Sequence, residues 1–130
     1  MTRGTGKAHL ARAALEAIAF QTRELVDAFE RSMGAPLCDL RIDGGVSQNG
    51  FFVEFLADIL GKTVLSSAMP ERTALGAGRL ASVHPRVRDR FSFAPPADRS
   101  SAPRISEETR SRALQGWKRA VDSVIHFAAS

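Results

Sequence analysis

At 130 residues, 44% of them hydrophobic and 25% charged, the chain has room for one domain with a real core and too little for a two-domain enzyme. Its net charge of +4 rests almost wholly on arginine, with lysine only at positions 7, 62 and 118. The one dense basic cluster, Arg86, Arg88 and Arg90, is interrupted by Asp89, which argues against nucleic acid as a partner.

A single cysteine, Cys38, excludes an internal disulfide, and it is expected to be a small buried side chain. Three widely separated histidines form no metal box. No stretch is apolar for long enough to cross a membrane or to act as a signal peptide, so a cytoplasmic protein is expected. Residues 1–8 are polar, and their Gly4-Thr5-Gly6-Lys7 fragment lacks both the spacing and the preceding strand of a phosphate loop.

From Ala8 to about Met33, apolar residues recur at Ala11, Ala14, Leu15, Ile18, Leu25, Val26 and Phe29, a spacing that predicts one long amphipathic helix. Gly34 stands where a left-handed cap belongs and Pro36 forbids continuation. The alanine-rich start reads as close helix packing. Leu37 to Ile42 then alternates as a strand, with Cys38, Leu40 and Ile42 on one face.

This strand runs into Asp43-Gly44-Gly45, a polar tripeptide, and a second apolar-periodic segment. Ser47 or Asn49 would cap a helix whose face is Phe51, Phe52, Phe55, Leu56, Ile59 and Leu60, closed by Gly61. The aromatic stripe reads as core. A strand feeding a helix through glycines brings backbone N–H groups close to any ligand at the turn.

Lys62 to Leu65 is a second strand candidate. Pro70 and Glu71 open a third helix running through Val83 and stopped by Pro85. Its face of small residues, Ala74, Gly76, Ala77, Gly78 and Ala81, reads as a surface for close packing. Residues 86–105 form an extended connector. Ser106 caps a last helix with Glu107 and Glu108 at its positive end and Ala113, Trp117, Val121, Val124 and Ala128 along its packing face. The order of elements predicts an α/β fold with partly parallel strands in a thin sheet.

Several segments resemble the C-terminal part of the FGGY carbohydrate kinases, and most of all the glycerol kinases. His9 to Glu16 is similar to the latter half of a family signature, and Ala17 to Arg23 continues it. The Leu40–Asn49 segment matches the family's Asp-Gly-Gly-x-x-x-Asn nucleotide motif. Ala57 to Gly61, Thr73 to Ala77 and Gly116 to Val121 follow in register over nearly the whole chain. Departures are Gly50 after the motif, Gly78 with Arg79, and Leu114.

The resemblance implies part of an actin-like ATPase domain with ribonuclease-H-like architecture, and ATP-dependent phosphorylation of a polyol or sugar hydroxyl with Mg²⁺. Residues 1–85 would be the nucleotide side and 106–130 a helix packed on it. It implies that Gly44 permits close approach of the nucleotide, that Gly45 gives backbone contacts, and that Asn49 gives a side-chain hydrogen bond. Asp43 would stabilise the turn. The chain begins in mid-signature, so the phosphate-binding loop, the general base, the Mg²⁺ ligands and the N-terminal domain are expected on another polypeptide part. Two readings follow: a kinase piece, inactive alone, that joins its missing part or self-associates through exposed helix faces, and a non-catalytic nucleotide-binding or remnant module.

Overall fold

A short helix that is apolar on almost every side can only exist inside a protein. Gly50–Leu60 is such a helix, and seven of its eleven residues are buried. The computed structural model describes Thr2 and residues 4–68, 71–82 and 98–128. In chain order it has α1 (Lys7–Met33), β1 (Asp39–Ile42), a 3₁₀ turn (Gly45–Gln48), α2 (Gly50–Leu60), β2 (Thr63–Ser66), α3 (Arg72–Ser82), β3 (Arg99–Ser101) and α4 (Glu107–Ala128).

Phe52, Val53, Leu56, Ala57 and Leu60 of α2 form the core with Ala19 and Val26 of α1 and Val64 of β2. β1 and β2 are parallel, paired from Asp39 with Thr63 to Ile42 with Ser66. Parallel neighbours need a long crossover, and here the 3₁₀ turn and α2 supply it. β3 pairs antiparallel on the other side of β2, Ser66 opposite Arg99. The central position of β2 explains why Val64 is fully buried. The α/β class and the parallel pair agree with the expectation, while the third strand falls in the segment expected to be connector.

Because α2 ends inside the molecule, its last four carbonyls need donors from elsewhere. All four have them. Gly61, at φ 66° in the left-handed region that favours glycine, donates its N–H to the Ala57 carbonyl at 2.9 Å. Arg110 Nε of α4 donates to the Asp58 carbonyl at 2.6 Å. Arg23 Nη1 of α1 donates to the carbonyls of both Ile59 and Leu60, each at 3.1 Å. Two cations thus stand at the negative end of the helix dipole. A Cβ on Gly61 would lie 2.8 Å from the Arg110 guanidinium, so glycine here also makes room for the arginine.

The buried Asp58 carboxylate accepts from the Arg104 backbone N–H at 2.6 Å and fixes the approach to α4. Ser106 then caps that helix, its Oγ accepting from Thr109 N–H at 3.2 Å. Trp117 stacks on Phe20 with centroids 5.1 Å apart and donates from Nε1 to Glu24. Beyond Trp117, α4 exposes Ile125 and Phe127 and also Val124 and Ala128, which were expected on its packing face.

Further expectations need correction. Cys38 is exposed, because β1 begins only at Asp39. The peptide group of Leu37 is held by side chains instead: Leu37 N–H donates to Glu30 Oε1 at 2.7 Å, and Lys62 Nζ donates to the Leu37 carbonyl at 3.0 Å. The apolar stripe of α1 divides, with Ala19 and Val26 turned onto α2 while Ile18, Leu25, Phe29 and Met33 remain exposed. Its alanine-rich first turns are exposed, as is the small-residue face of α3, because no described residue lies over either. Phe51, expected in the core, is 39% exposed at the start of α2 and lies under the Arg12 guanidinium. The Pro70 start, the Val83 end and Pro85 stop of the third helix, the Arg86-Arg88-Arg90 cluster and connector residues 86–97 lie outside the described residues.

Arg23→Met keeps the aliphatic stem and removes the donor to two carbonyls, so urea denaturation should show a loss of about 2 kcal/mol. An unchanged midpoint would mean that water replaces the guanidinium there. A second consequence concerns acid. Lys62 and the Leu37 N–H hold the Glu30 carboxyl below the ordinary glutamate value of 4.5. The unfolded chain therefore binds this proton more readily, and the stabilisation is complete above 4.5 and lost as pH falls through the depressed folded value. Wild type should be more stable than Glu30→Gln at pH 7, with the gap closing as pH is lowered below 4.5. A gap independent of pH would remove the ion pair from this account.

Candidate functional site

β1 ends at Ile42, and the next residues must reverse the chain into α2 within a few steps. Gly44 does this at φ 89°, ψ −179°, a conformation that favours glycine. Ser47, itself buried, braces the turn by donating from Oγ to the Gly44 carbonyl at 2.7 Å and from its N–H to the same carbonyl at 3.2 Å. Asn49 follows in extended conformation and its Oδ1 accepts from Phe52 N–H at 3.1 Å. Of the two cap candidates, Asn49 is the cap of α2, while Ser47 serves the turn.

This places Gly44, Gly45 and Asn49 within one six-residue bend at the carboxyl ends of two parallel strands, where α/β sheets commonly hold ligands. Gly45 is exposed, its φ is not positive, and nothing lies within 4 Å of the place a Cβ would occupy. The cap uses only Asn49 Oδ1, which leaves the amide NH₂ as a donor. Phe52 N–H is taken by the cap; those of Gly50 and Phe51 have no partner among the described residues and stand at the positive end of α2. The arrangement suits an anion or a polar ligand edge.

Two further residues hold the bend, Gln48 by its side chain and Ser67 by its backbone. Gln48 Nε2 donates to the Ser67 carbonyl at 2.9 Å, and Ser67 N–H donates to the Ile42 carbonyl at 3.0 Å. Sequence reading passed over both, since only the folded chain brings the exit of β2 against a turn 19 residues earlier. Asp43 does not stabilise the turn as expected: its carboxylate makes no hydrogen bond among the described residues, and Ser47 has that role. Asp43 lines a cleft of about 170 Å³ with Arg41, Ile42 and Asp98. Sites that enclose a small molecule usually measure about 300 Å³ or more, so this cleft is too small to enclose one by itself. A larger groove of about 520 Å³ lies before the opposite end of β1, between Arg23, Glu30 and Pro36. It is shallow, and its Arg23 is already engaged with α2.

Among the described residues no group of three or more His, Cys, Asp or Glu could hold a metal ion. No described helix is long and apolar enough to cross a membrane.

Comparison with known proteins agrees with this geometry. Residues 1–84 match the C-terminal domain of the FGGY family of carbohydrate kinases. The glycerol kinase of Deinococcus radiodurans is 44% identical over 124 residues, covering 93% of this chain and 25% of that protein. The glycerol kinase of Thermococcus kodakarensis is 43% identical over 131 residues, covering 98% of this chain and 26% of that protein. Among solved structures, Plasmodium falciparum glycerol kinase with ADP is 32% identical with a TM-score of 0.74, over 95% of this chain and 25% of that one. Xylulose kinase from Rhodospirillum rubrum, 19% identical with a TM-score of 0.73 over 100% of this chain and 27% of that one, shares the fold. The chain spans about a quarter of the length of these relatives. Its sheet and flanking helices are part of an actin-like ATPase fold. With 65% of its residues inside the matched domain (84 of 130), the chain belongs to the FGGY family of carbohydrate kinases.

Proposed function

We propose that this chain supplies the adenosine-side contacts for ATP in a glycerol-type kinase that phosphorylates a polyol or sugar hydroxyl. The observation that carries the reading is the Gly44-Gly45 bend, with Asn49 at the start of α2, set at the carboxyl ends of β1 and β2. Gly44 lets the backbone approach the nucleotide, Gly45 contributes its peptide group, and Asn49 donates from its free amide. The ADP in the Plasmodium falciparum relative supports the same ligand class.

ATP brings the transferable phosphoryl group, and Mg²⁺ would neutralise its charge. The open bend is compatible with a nucleotide edge, and among the described residues no cluster of three or more His, Cys, Asp or Glu gathers. In this reading the Mg²⁺ ligands and the base toward the acceptor hydroxyl lie on polypeptide beyond this chain, and the chain alone is catalytically inactive. The exposed stripe of Leu25, Phe29 and Met33 on α1 supports association with such a partner, or with a second copy when none is present. A cytoplasmic location belongs to this reading.

Calorimetric titration with ADP tests the site. Saturable binding is expected, with a loss of at least about tenfold in affinity for Gly45→Ala, equivalent to 1.4 kcal/mol, because the added methyl occupies the ligand's approach. The fold should be undisturbed, since that methyl meets no protein atom. Asn49→Asp keeps the capping oxygen and removes the donor, so it should weaken ADP binding while costing less stability than Asn49→Ala. Absence of binding at millimolar ADP would defeat the reading.

Association has its own measurement. Light scattering on the isolated chain should show oligomers, reduced by Phe29→Glu. A monodisperse monomer over the working concentration range would exclude self-association through α1.

A further inference from the structure

A four-residue 3₁₀ turn is a weak frame for a ligand site, because its hydrogen-bond geometry is poor and it seldom extends. Here it is fastened at both ends to one peptide segment. Ser67, the residue after β2, donates its N–H to the Ile42 carbonyl just before the bend. Its carbonyl accepts from Gln48 Nε2 at 2.9 Å, at the end of the bend. The same amide nitrogen lies 3.5 Å from Ser47 Oγ, which in turn holds the Gly44 carbonyl. Entry and exit of the turn are thereby tied to the rim of β2, and the glycines between them have a fixed span to cross.

Gln48 is an exposed residue. One good neutral hydrogen bond and one at the 3.5 Å limit, made by such a side chain, are roughly offset by the rotamer freedom it gives up. Its main effect is then on geometry. The neighbouring Asn49 carries both the cap of α2 and the free amide, so any slackness at position 48 passes directly into the position of that donor.

We propose that Gln48 is a positioning residue of the nucleotide turn, its side-chain amide holding the bend against the end of β2 so that Gly45 and Asn49 meet the ligand in one arrangement. This rests on the bend being the nucleotide contact. Gln48 itself need not touch the nucleotide. Its variants should act by lowering the fraction of molecules whose turn is competent to bind, which raises the apparent dissociation constant in proportion.

The test uses the full chain and ADP. Gln48→Met has similar length and no donor, and it should weaken ADP binding about tenfold by calorimetry if the competent fraction falls to about one tenth. Its urea midpoint should match wild type. Amide hydrogen exchange without nucleotide should accelerate at residues 45–49 and not in the core of α2. Wild-type affinity in Gln48→Met, together with weakened binding in Gly45→Ala, would overturn the positioning role and leave the nucleotide reading standing. A lowered midpoint with exchange accelerated throughout α2 would also overturn it, making Gln48 a structural residue. Failure of wild type to bind ADP would remove the nucleotide reading itself, and the positioning role with it.

Discussion

The arrangement of this protein depends on how a buried helix is allowed to end. α2 carries the core, and its C-terminal turn lies where water cannot serve all four terminal carbonyls. Gly61, Arg110 and Arg23 serve them one by one, from the loop, from α4 and from α1. Each donor also fixes the element it comes from. The guanidinium of Arg23, braced by Asp27 at 2.8 Å, sets α1 across α2. That of Arg110, paired with Glu107, sets the first turn of α4. The apolar contacts of Ala19, Val26 and Leu56 supply the driving force for packing, which is not directional. The carbonyl clamp supplies the direction.

The opposite end of α2 obeys the reverse logic. There the orphan groups are N–H donors, and one of them, Phe52, receives a protein partner in Asn49. Others are left to the surface. A helix anchored firmly at its negative end by two cations keeps its positive end stationary without filling it with side chains. The glycine bend can therefore stay open, which a ligand needs, while remaining fixed relative to the sheet through Ser47, Gln48 and the backbone of Ser67. Rigidity is supplied from behind the site.

Much of this was legible in the amino-acid sequence where a local rule has a single strong signal. Gly34, Gly61, Asn49 and Ser106 all sit at helix ends as their conformational and hydrogen-bonding preferences require. The Asp-Gly-Gly bend was legible for the same reason, and Gly44 does adopt a positive φ that favours glycine. The carbonyl clamp and the Gln48–Ser67 bridge were not, because they join residues 36 or more and 19 positions apart and have no periodic signature. β3 was missed because Arg99-Ser100-Ser101 shows no hydrophobic alternation; backbone pairing with β2 alone makes it a strand. Cys38 was misplaced because alternation extended the strand to residues whose peptide groups Glu30 and Lys62 had taken.

In the proposed reading the bend is one wall of a nucleotide site, and the remaining surfaces agree with that. Its dipoles and single amide can orient a nucleotide, whereas phosphoryl transfer needs charge neutralisation and an in-line acceptor. Several of the described carboxylates are already engaged by cations of the frame: Asp58 by Arg104, Glu30 by Lys62, Asp27 by Arg23. Those pairings hold elements together, and freeing any of them for catalysis would loosen the frame that keeps the bend in place. Meanwhile α1 exposes Leu25, Phe29 and Met33 on the side away from α2, and α4 exposes Val124, Ile125 and Phe127 past its last contact. Such faces are costly in water and compatible with stability when covered. In the proposed reading, a chain about a quarter as long as its relatives, with apolar faces on both outer helices, forms the nucleotide-side wall and a second body packs against it.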